Sequence, residues 1–91
     1  MAKVYVALCE DRHIDPVIHV FTLPERAIDY CKRWTKENAL HPDDIEEYEL
    51  TDDMRAGGWI YAATYSGEGD HVTAMEMELD PVGEIGLDNA L

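Results

Sequence analysis

Trp59-Ile60-Tyr61-Ala62-Ala63-Thr64-Tyr65, then Ser66-Gly67-Glu68-Gly69-Asp70, then His71-Val72-Thr73-Ala74-Met75-Glu76-Met77-Glu78-Leu79 is the stretch on which the fold turns. The first run is rich in aromatic and β-branched residues, which suit a pleated, half-buried strand. The last run sets Met75, Met77 and Leu79 against Ala74, Glu76 and Glu78, the period of two of a strand with one wet face. The glycines between them predict a hairpin. With carboxylates on one face, the returning strand is expected to be an edge or one-sided strand. Trp59, Tyr61 and Tyr65 are expected to share one side of this hairpin with Met75 and Met77, as core or as an open patch for a partner or a second copy.

Working back toward the N-terminus, residues 45–50 alternate Ile45, Glu47, Glu49 with Glu46, Tyr48, Leu50, which predicts a strand. Thr51-Asp52-Asp53-Met54-Arg55-Ala56 can make one or two helical turns, ended by a left-handed cap at Gly57-Gly58. His41-Pro42-Asp43-Asp44 reads as a loop. Before it, residues 23–38 predict a helix whose positions Leu23, Ala27, Tyr30, Cys31 and Trp34 share one face. Thr22 and Glu25, with Pro24 between them, suggest a capping box at its start. Residues 3–9 alternate with apolar groups on both faces, so they predict a central strand, and residues 17–21 its hairpin partner across a polar connector ending at Pro16.

The fold class is therefore α+β, an antiparallel sheet of about five strands with one main helix packed on one face, in the order β-β-α-β-short helix-β-β. A chain of 91 residues supports one core, so a single domain is expected over residues 1–80 with residues 81–91 as a C-terminal tail. No apolar run nears the roughly 20 residues that span a bilayer, and no signal-peptide pattern opens the chain, so a cytoplasmic place is expected. Cys9 and Cys31 fall on a strand and a helix, where two buried free thiols are expected rather than a disulfide framework.

Charge is distributed unevenly. Twenty acids against seven bases leave −13; residues 1–41 balance six of each, and fourteen acids after His41 face Arg55 alone. Such a field repels nucleic acid and anionic membrane and attracts basic surfaces. Neither DNA nor RNA nor a bilayer is an expected direct partner. Asp43, Asp44, Glu46, Glu47, Glu49, Asp52 and Asp53 form a run of carboxylates with no base among them. It can serve as a docking surface for a basic protein, as a phosphate-like decoy for a nucleic-acid-binding protein, or as a solvated face, including one adapted to a high-salt host.

Chemistry-bearing motifs are sparse. Glu10, Asp11, His13 and Asp15, with His19 nearby, bring carboxylate and imidazole groups together around the loop at residues 10–15, the donor types of a divalent metal or small-molecule site. Their spacing matches no defined metal motif. Neither cysteine is accompanied by a nucleophile elbow, and there is no P-loop, dinucleotide fingerprint or CxxC pair. No catalytic residue and no cofactor are expected.

Val4-Tyr5-Val6, the polar connector, Val20-Phe21-Thr22, the helix bearing Ala27 and then Ile45-Glu46-Glu47-Tyr48-Glu49-Leu50 together resemble small uncharacterised bacterial and phage domains of ββαβ layout, over roughly the first fifty residues. The resemblance implies a small accessory protein of bacterial, phage or archaeal type, of the kind mobile elements carry, and transfers no functional residue. The leading expectation is a non-enzymatic module binding a protein partner, or a second copy, through Asp43, Asp44, Glu46, Glu47, Glu49, Asp52, Asp53, Trp59, Tyr61 and Tyr65. The alternatives are a metal- or small-molecule-binding protein using residues 10–15, and the acidic decoy.

Overall fold

The computed structural model describes residues 2–11 and 14–79. Strands β1 (Ala2–Glu10), β2 (Val17–Phe21), β3 (Glu46–Glu47), β4 (Trp59–Thr64) and β5 (His71–Leu79) form one antiparallel sheet in the order β2-β1-β5-β4-β3. Helix α1 (Pro24–Asn38) packs on one face, and a short helix α2 (Asp52–Ala56) lies beside β4. A single 3₁₀ turn spans Pro42–Asp44. This is the α+β architecture expected from the periodicity. The tail at residues 81–91 and the loop residues Arg12 and His13 lie outside the described residues.

Small side chains dominate the helix–sheet contact. Ala7 and Cys9 of β1, Ala63 of β4, Val72 and Ala74 of β5, and Ala27 and Cys31 of α1 are fully buried together with Tyr65. Alanines and cysteines let the helix backbone come close to the sheet, and the larger Phe21, Tyr30, Trp34 and Tyr61 pack around that centre. His19, Phe21, Tyr30 and Trp34 make a run of ring contacts along the helix, the closest being His19 to Tyr30 at 4.5 Å between centroids.

Several expectations are corrected. Strand β5 is central, paired with β1 over its whole length and with β4, and is no edge strand. Its alternating glutamates stay wet because they lie beyond the helix's cover, where Glu76 meets Lys3 at 3.6 Å. The α1 N-cap is Leu23, in an extended conformation with no side-chain cap. Pro24 causes this, since the residue before a proline is kept out of the helical region, and the Thr22 capping box is not made. The strand expected over residues 45–50 is shortened to Glu46–Glu47, which pair with β4, followed by one further hydrogen bond from Tyr48 N to the Ala62 carbonyl at 2.9 Å. By contrast, Thr51 does cap α2, accepting a hydrogen bond from Met54 N at 3.2 Å, and Gly58 takes the left-handed conformation at φ 98°.

Candidate functional site: the bare face of the sheet

With a period of two, each strand sends alternate residues away from the helix. The register sets Val4 opposite Met77, Val6 between Val20 and Met75, Leu8 opposite Ile18, and Trp59 opposite Met75. None of these side chains belongs to the core beneath the helix. Ile18 and Val20 are each 61% exposed and Met77 is 49% exposed. Four strands about 4.8 Å apart span roughly 14 Å, and the three apolar groups of β1, about 6.8 Å apart, span roughly 14 Å along the strand. A contiguous apolar surface of that order is a frequent mark of an interaction site on a small domain.

A bulge between Trp59 and Tyr61 decides which aromatic residues reach this face. The inserted Ile60 shifts the register, so Trp59 stands over Met75 while Tyr61 stands over Ala74 on the helix side. The expected grouping of Trp59, Tyr61 and Tyr65 on one side with Met75 and Met77 is therefore wrong for both tyrosines. Tyr65 is 1% exposed and belongs to the core. Its hydroxyl donates to the Asp11 carboxylate at 3.1 Å. Burial, above all, pushes the Tyr65 phenol up to about 12; the Trp34 indole pulls it down and the Asp11 carboxylate raises it. That indole N–H is itself buried without a well-formed hydrogen bond. Tyr61 donates to Glu47 at 2.6 Å, and its phenol is held well above the usual range, first by burial and then by that carboxylate.

Beside the bare patch, toward β3, lies a cavity of about 280 Å³ lined by Tyr48, Trp59, Ala62, Ala63, Thr64, Gly69, His71, Val72 and Thr73. Sequence reasoning placed Met75 and Met77 in a candidate open patch but did not single out Tyr48, Ile18 or Val20; the signal was there in the apolar residues on both faces of residues 3–9 and 17–21.

The seven carboxylates are all exposed but do not form one stripe. Glu46 pairs with Thr64 on the bare side, and Glu47 turns to Tyr61 on the helix side. Asp43 and Asp44 sit in the 3₁₀ turn, and Asp52 and Asp53 in the first turn of α2. They form an acidic edge around β3.

Around residues 10–15 the groups diverge. Glu10 bridges His71, with Oε2 2.5 Å from Nε2, on the bare face. Asp11 turns in to Tyr65, and His19 lies on the helix side against Tyr30. Among the described residues no three His, Cys, Asp or Glu side chains converge as a metal site; His13 lies outside them.

Cys9 and Cys31 are buried free thiols in contact across the helix–sheet interface. Their hydrogen bond acts in opposite directions, pushing Cys31 up as its donor and lowering Cys9, while burial raises both. Among the described residues no helix is long and apolar enough to cross a membrane. No family model, no curated protein and no solved structure matches the chain, so a functional reading rests on the chemistry of this face alone.

Proposed function

We propose that the chain is a non-enzymatic interaction module that holds a protein partner against the bare face of its sheet. The acidic edge around β3 selects a partner whose apolar contact is rimmed by lysine or arginine. What carries this reading is the patch formed by Ile18, Val20, Val6, Met75, Met77 and Trp59, which the helix does not cover. No lysine or arginine among the described residues is placed by the register on that side, so the charge it offers is negative. Apolar centre and charged rim divide the work in the usual way, the first supplying affinity and the second encounter rate and selectivity. The two free thiols fit a reducing, cytoplasmic compartment.

The test is affinity capture from host lysate with the wild type and with a Val20→Lys, Met77→Lys double variant, at low and high salt. Both side chains are about half exposed or more, so the variant should match the wild type in far-UV spectrum and melting temperature. A basic protein held by the wild type, weakened by salt and lost in the variant supports the reading. Equal capture by both chains would sink it. A second copy on the same face would set acidic rim against acidic rim, so self-association would instead strengthen as salt rises.

A further inference from the structure

We infer that the cavity between Tyr48 and Trp59 is the seat of an arginine side chain of the partner. This rests on the reading above and names its anchor. At about 280 Å³ the space lies just below the range of small-molecule pockets and is of side-chain size. Its lining includes the small, buried Ala62 and Thr73 and the aromatic residues Tyr48 and Trp59. Aromatic faces attract a cation, and a planar guanidinium lies flat against them while its aliphatic stem packs on apolar surface.

The charge around the cavity has the complementary sign. Thr64 lines it, and the β3–β4 register sets Glu46 directly opposite Thr64, which brings one exposed carboxylate to the rim. At the other end the Glu10 carboxylate is engaged by His71, whose Nδ1 lies 2.9 Å from the Gly69 carbonyl oxygen. Among the described residues no lysine or arginine lines the space. The helix side of the same sheet shows the combination at work: Lys32 Nζ stands 5.7 Å from the centre of the Tyr61 ring, and Tyr61 is hydrogen-bonded to Glu47. On the bare side the aromatic groups and the carboxylate are present and the cation is to come from outside. A carboxylate or phosphate ligand would meet Glu46 and the acidic edge, and is disfavoured.

The experiment is a titration of the isotope-labelled chain with n-butylguanidinium, and in parallel with its neutral isostere n-butylurea, read by amide and indole NMR shifts. Butylguanidinium should shift the Trp59 indole N–H and the amides of Ala62, Thr64 and Thr73 in one saturable event, about threefold to fivefold tighter than butylurea. Glu46→Gln, an isosteric change at an exposed position, should narrow the gap between the two ligands, and Trp59→Leu should abolish the event. Shifts spread over the acidic surface without saturation would overturn the inference, as would equal binding of the neutral isostere to the wild type. If butylguanidinium fails while partner capture still depends on Val20 and Met77, the anchor is wrong and the docking face stands. If the titration succeeds while capture ignores those two residues, the face is wrong and the cavity stands.

Discussion

Gly58 lies so close to β5 that a Cβ placed on it would stand 2.7 Å from the Glu76 carbonyl oxygen. The Gly58 carbonyl in turn accepts from Glu76 N at 2.6 Å, and the residue's φ is 98°. Both the left-handed backbone and the missing side chain are needed for α2 to hand the chain over to β4. Gly58→Ala should cost about 2 kcal/mol or more from strain and displacement of the strand. Gly57, at φ −81° with its nearest contacts at 3.5 Å, should accept alanine with a change within about 0.5 kcal/mol. Chemical denaturation of the two variants checks the contrast; equal losses would contradict it.

The alanine-lined contact between helix and sheet makes a second prediction. Ala27 is fully buried in it, and alanine and leucine have nearly equal helix propensity. Ala27→Leu should therefore report packing alone, lowering stability by about 1–3 kcal/mol because the added methylenes have no space. An unchanged denaturation midpoint would mean that the helix stands further from the sheet than described.

Tyr65 provides a pH-dependent readout. Its phenol is raised from 10.0 to about 12 in the folded chain. The fold favours the protonated form, so its contribution is complete below pH 10 and is lost as pH rises from 10 through 12. Tyr65→Phe should cost about 1 kcal/mol at neutral pH through loss of the bond to Asp11, and should make the alkaline fall in stability shallower. A variant with the same alkaline slope as the wild type would assign that slope elsewhere, Tyr30 and Tyr61 being raised in the same direction.

The two cysteines should be silent in the native chain. Both have no exposed surface, and reactivity needs an accessible thiolate. A thiol reagent should label neither until denaturant is added, and then both. Rapid labelling of one thiol in the folded protein would show that the helix opens away from β1.

The sheet was legible in the sequence wherever one residue type repeats at a period of two, as in residues 3–9 and 71–79. What escaped depends on geometry set elsewhere in the chain. The bulge at Ile60 has no local mark, yet it sends Trp59 and Tyr61 to opposite sides. Leu23 became the N-cap because Pro24 restricts it, which overrode the pattern of Thr22 and Glu25. The glutamates of β5 suggested an edge, but water reaches them past the end of the helix's cover, next to Lys3 and Tyr5. For the candidate site, the acidic run and Trp59 were visible, whereas the cavity needed the β3–β4 register to bring Glu46 beside Thr64.

Among the described residues, the pairing of β1 with β5 joins the first strand to the last. During synthesis the β1–β2 hairpin and α1 can form early, but the strand between β1 and β4 arrives only when residues 71–79 leave the ribosome. Until then the small-residue interface of the helix has half its sheet missing, and β1 offers an unpaired edge. Folding is thus tied to a closure across about seventy residues, the kind of non-local step that slows a small domain and exposes its nascent form to aggregation.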